Sequence, residues 1–201
     1  MVIRLDPSRE MKIYSILQND PSFILLIKNK YLNDNMWKIA IENEPSLFQF
    51  MERPSEDMII FALNEDGTNI QYLERMGIKL TPKMMYTAIH NYPGAIHMIP
   101  KELRTSALRE YACKEDPSLM KELPLQPGFV RRQLHRDPTL VRFLNDPDEE
   151  QILRAIRVDP NVCVYINKFT PKIKELIRNL YPEIIPLIPR LSEEFSGPKA
   201  D

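Results

Sequence analysis

Seven nitrogen-bearing side chains recur at regular steps through the middle of this chain. His90, Lys114, His135 and Arg157 follow one another at 24, 21 and 22 residues; His97, Lys121 and Arg142 follow at 24 and 21. All three histidines of the chain fall in these two rows, and no acidic residue interrupts either row. Cations so spaced suit an electropositive strip for an acidic partner, either protein or nucleic acid. The plain alternative is a solvated face, because charged runs commonly serve only to meet water. Glu115, Asp116, Glu122 and Asp137 lie close enough in sequence to offset the strip.

Other chemistry finds little support. His90 and His97 fall on different elements, and no carboxylate or thiol joins them at a ligand spacing, so no metal site is expected. Arg131, Arg132, His135 and Arg136 make a short basic run beside the next element's start, where a phosphate could sit. Asp137 and Pro138 already cap that start. Cys113 and Cys163 fall in apolar rows and read as packing thiols. No GxGxxG, no phosphate-cradling loop and no Ser/His/Asp set appears with supporting context. No catalytic residue, cofactor or small-molecule substrate is therefore expected.

The elements that carry these rows are repeats. One pattern recurs: an Ala or Ile, then five residues on a Pro, then two apolar pairs. Its anchors are Pro21, Pro45, Gly67, Pro93, Pro117, Pro138, Pro160 and Pro182, at steps of 24, 22, 26, 24, 21, 22 and 22. Before each anchor, apolar residues are expected at minus eight, minus five and minus four, one helical face, as in Trp37, Ala40 and Ile41. After it, a short second helix is expected to bury plus two, three, five and six, as in Leu47, Phe48, Phe50 and Met51. The cationic rows are then minus three on first helices and plus four on second helices.

The anchor itself has a physical reading. Asp20, Asp66, Asp116, Asp137 and Asp159 precede it and suit an N-cap, while proline tolerates the first helical turn because its absent N–H would be unpaired there. Proline also pushes the preceding residue out of the α region and so ends the helix before it. Further prolines at Pro54, Pro82, Pro147 and Pro171 open the next unit. The third unit is the exception. It carries Gly67 in place of proline and is followed by the longest step, through Glu74–Pro82, where a longer loop or bend is expected.

The expected class is all-α: an α-solenoid of about eight helix-pair repeats of ~22–24 residues, extending roughly 60–80 Å if neighbouring helices pack at the usual separation. A lead-in at 1–10 and a polar tail at 192–201 are expected to flank one repeat domain at 11–191. Composition agrees. The 201 residues are 43% hydrophobic and 27% charged, with 18 prolines, 5 glycines and a net charge of -1. Two cysteines without a disulfide framework, no signal-like N-terminus and no span of ~18 apolar residues point to a reduced, cytoplasmic setting away from membranes.

One stretch carries a resemblance. Arg53-Pro54-Ser55-Glu56-Asp57, Ala62-Leu63, Asp66-Gly67 and Ile70-Gln71-Tyr72 resemble uncharacterised tandem repeats of large DNA viruses, bacteriophages and some bacteria and protists. The spacing is also similar to leucine-rich repeat variant stacks. The resemblance implies a helical-repeat fold and a viral setting, with host cytoplasm or virion as location; it carries no catalytic residues. The function expected is a non-enzymatic protein-interaction or scaffold module, viral structural or host-targeting. The alternative is nucleic-acid or acidic-partner binding through His90, His97, Lys114, Lys121, His135, Arg142 and Arg157.

Overall fold

The computed structural model describes residues 6–196. Among them there is no β-strand, and every anchor opens a turn of 3₁₀ helix. The α-helices are α1 (Pro7–Asn19), α2 (Asp34–Asn43), α3 (Glu56–Glu65), α4 (Ile70–Leu73), α5 (Pro82–Asn91), α6 (Ser106–Glu115), α7 (Pro127–Arg136), α8 (Glu149–Val158), α9 (Pro171–Leu180) and α10 (Pro189–Ser196). The chain divides between Glu115 and Asp116 into two compact units. Within each, the expected all-α succession of repeats is what the structure shows. In the first unit α1 packs on α2, α2 on α3, α3 on α5 and α5 on α6; in the second, α7 packs on α8 and α8 on α9.

One residue closes the α-helix and opens the 3₁₀ turn in each repeat. The backbone N–H of Asp66 donates to Ala62 O at 3.0 Å and that of Asp159 to Ala155 O at 2.9 Å, ending α3 and α8. The side chains of the same residues accept from Thr68 N at 2.8 Å and Asn161 N at 2.9 Å. Asp116 and Asp137 cap in the same way. Asp20 differs: its carboxylate takes the Ser22 hydroxyl at 2.6 Å and no backbone amide. The α-helices start on a second set of caps, among them Asn33, Ser55, Thr81 and Thr170, each accepting from the third amide on. Asp148 and Gln151 form a full capping box.

The core stripe is wider than expected on the α-helices and differs from expectation on the second elements. On the α-helices minus eight is buried as expected in Trp37, Ile59, Met85, Val130 and Ile152, and minus nine joins it in Met36, Met58, Met84, Leu108, Phe129 and Ile173. On the second elements plus three and plus six are inside, as in Phe48 and Met51 or Ile96 and Ile99, and plus two mostly joins them. Plus five is not core. Leu26 is 78% exposed, Phe50 52%, Tyr165 40% and Leu187 74%. The cause is the end of the turn. The 3₁₀ turn stops at plus five, and plus six is already extended, as at Met51 (φ -73, ψ 125) and Ile166 (φ -88, ψ 127). Successive side chains point to opposite sides where the backbone becomes extended, so plus six turns in and plus five out. Full burial of one of the inner side chains contributes roughly 1.5–3 kcal/mol, so the inner rows outweigh the exposed one.

The longer connection expected after the third repeat is present, as turn and loop at 74–81. The second element of that repeat continues as α4, and Ile78 N–H reaches back to Leu73 O at 2.9 Å around Gly77 at φ 71, a glycine-closed helix end. Gly67 replaces proline because the α5 backbone comes too near. A Cβ there would sit 2.2 Å from Ala88 O, and its N–H donates to Asn91 Oδ1 at 2.6 Å, which a proline could not do. Asn91 also donates to Asn64 O at 2.6 Å and ties α5 to α3. At the chain ends, α1 begins at Pro7 and α10 runs to Ser196, so parts of the lead-in and tail are helical. Residues 1–5 and 197–201 lie outside the described residues.

Candidate interaction face and cleft

In the first unit the candidate cations have close acidic or aromatic company. His90 Nδ1 lies 3.6 Å from Glu115 and 3.2 Å from the Tyr111 hydroxyl, both on α6. Burial, and the Glu115 carboxylate beside it, raise the Tyr111 hydroxyl above its ordinary 10.0. Tyr86 meets Tyr111 edge-on at 5.0 Å. The His97 carbonyl accepts from the Arg104 guanidinium at 2.9 Å. Lys114 is exposed. In this unit Leu26, Phe50, Tyr72 and Met98 stand at plus five, with Leu25, Gln49, Gln71 and His97 beside them at plus four.

In the second unit Lys121 and Arg142 converge. Lys121 Nζ lies 5.7 Å from the Phe143 ring centre and the Arg142 guanidinium 4.6 Å from it. Arg142 also sits 5.3 Å from the Tyr165 ring of the next 3₁₀ turn. Cations over ring faces gain about 0.5–2 kcal/mol, most where water is thinned. Both line an open cavity of about 840 Å³ with Asn145, Asp146, Asp148, Glu149, Asn167 and Lys168. His135 is exposed on α7, and Arg157 lines a separate hollow against Lys172, Glu175, Leu176, Asn179 and Leu180 of α9. The minus-three and plus-four rows thus belong to different elements, and in this unit Lys121 and Arg142 share a cavity while Arg157 lines another.

No family model, curated protein or solved structure matches the chain. The chemistry of the site must therefore be taken from its side chains. Among the described residues no three His, Cys, Asp or Glu side chains gather to hold a metal ion. Among the described residues no helix is long and apolar enough to cross a membrane. Cys113 and Cys163 are both buried, and burial pushes the Cys163 thiol from 9.0 up to about 12, which keeps it protonated and poorly nucleophilic.

The plus-five row was not singled out from the sequence. Its residue types were visible, but their apolar character assigned them to the core. The change from 3₁₀ turn to extended backbone after plus five, which sets them outward, leaves no mark in residue type.

Proposed function

We propose that this chain is a non-enzymatic protein-interaction module that works through the exposed plus-five row of its 3₁₀ turns. The observation that carries this is Leu26, Phe50, Tyr165 and Leu187, large apolar side chains set in solvent at one register position. Scattered exposed apolar residues need no explanation, but here each unit sets two of them at the same register position, Leu26 and Phe50 in the first and Tyr165 and Leu187 in the second, which favours a role in binding. The aromatic members supply contact area with few rotamers to freeze. Resemblance to the tandem repeats of large DNA viruses and phages supports a virion or host-targeting setting for such a module.

The test compares protein captured from the native cell by the wild-type chain with that captured by Leu26→Glu/Phe50→Glu and Tyr165→Glu/Leu187→Glu chains. Circular dichroism confirms their folding. A protein retained by wild type and lost by either double variant supports the proposal. Identical capture by all three chains overturns it.

A further inference from the structure

The cavity of the second unit is more selective than the row as a whole. Resting on the interaction reading above, we propose that it binds a peptide segment in which an acidic residue adjoins an apolar one. The carboxylate would meet Arg142 and Lys121, and the apolar side chain would lie over Tyr165, which lines the cavity with them.

The guanidinium is the central element. It lies 4.6 Å from the Phe143 ring centre and 5.3 Å from that of Tyr165, so the two rings stand within about 10 Å of each other with Arg142 against both. Stacking fixes the plane of a guanidinium and leaves its N–H edge for a fork of two bonds to a carboxylate. Neither Arg142 nor Lys121 is paired with a carboxylate among the described residues. The cavity's own acids do not supply one. Asp148 is spent on the Gln151 amide at 2.8 Å, and Glu149 on Lys172 at 3.7 Å and on the Thr170 hydroxyl. Asp146 is exposed in a left-handed turn at φ 51. Lys121, Arg142 and Lys168 equal Asp146, Asp148 and Glu149 in number, so a carboxylate is drawn by the unpaired Arg142 and Lys121 at one corner of the cavity and not by a net charge.

Three features favour a peptide over a nucleic-acid strand. Asp146, Asp148 and Glu149 line the same cavity and would repel a chain of phosphates, whereas one carboxylate can be placed clear of them. Val164 and Tyr165 add exposed apolar area beside the cations. The walls are also fixed in advance: Arg190 donates to Asn167 Oδ1 at 2.9 Å and to Asn167 O at 2.7 Å, and the capping box holds the loop opposite. Fixed walls reduce the ordering cost of binding.

The test is an amide-resolved NMR titration of the full chain with four probes at millimolar concentration. These are a capped peptide alternating Glu and Leu, its Gln-for-Glu analogue, inorganic phosphate and an oligothymidylate. The expected result is saturable shifts around Lys121, Arg142, Phe143 and Tyr165 with the acidic peptide, weakened roughly tenfold or more in Arg142→Gln and also in Arg142→Lys, which keeps the charge but loses the fork. Equal binding of the Gln analogue overturns the charge recognition and leaves the interaction face standing. Tighter binding of the oligonucleotide, or of phosphate alone, overturns the peptide assignment. No shift at these residues with the acidic peptide overturns the inference, while the capture experiment still decides the wider reading.

Discussion

At the scale of single residues, Gly67 and Cys163 show two ways that packing overrides type. Gly67 sits where the third repeat's turn meets the α5 backbone, and the clash of an added Cβ is with Ala88 O, which cannot swing aside as a side chain can. Gly67→Ala should therefore lower stability by about 1–3 kcal/mol, the usual cost of overpacking, read from urea unfolding. Cys163 is wholly buried, and its raised thiol has a definite sign. The unfolded chain loses that proton from about pH 9, while the folded chain holds it toward about 12. Above pH 9 the folded state thus binds more protons, and stability falls as pH rises. Tyr14, raised first by burial and then by its hydrogen bond to Glu10, adds in the same direction. Alkaline unfolding of Cys163→Ala should show a shallower loss from pH 9 upward than wild type. A thiol reagent at pH 8 should read no fast-reacting cysteine until denaturant is added.

At the scale of elements, the repeat register was legible because its punctuation is chemical. Every anchor from Pro21 to Pro182 opens a 3₁₀ turn, and every α-helix before an anchor ends two residues ahead of it. Capping side chains such as Asp66 and Asp159 were identifiable because short acceptors before proline have few other uses. What was not legible was where each short turn ends. The apolar pattern does not show that the chain becomes extended right after Phe50 and Tyr165, and these two side chains stand outward there. Likewise Met36 and Met84 at minus nine fell outside the assumed face. The second caps matter energetically as well. Thr81 Oγ1 accepts from Met84 N at 3.3 Å at the head of α5. Thr81→Ala should cost about 1 kcal/mol, with a matching drop in thermal midpoint by calorimetry and no change in helix content at room temperature.

At the scale of the whole molecule, a net charge of -1 gives no field that would gather polyanions unaided, so recognition falls to local arrangements. The two cationic rows were legible as rows. Their division was not, because it depends on which element each residue stands on: minus three on α-helices, plus four on 3₁₀ turns. Nor does the repeat spacing mark the boundary between Glu115 and Asp116, since the step from Pro93 to Pro117 is like the others. The partner is expected to meet the 3₁₀ turns and not the α-helices. Photo-crosslinking in the native cell decides between them, with p-benzoylphenylalanine replacing Phe50 or Tyr165 in the 3₁₀ turns, or Glu42 or Lys114 at exposed α-helical positions. A protein adduct should form from Phe50 or Tyr165, and none of that mass from Glu42 or Lys114. An adduct formed only from the α-helical positions would overturn this reading.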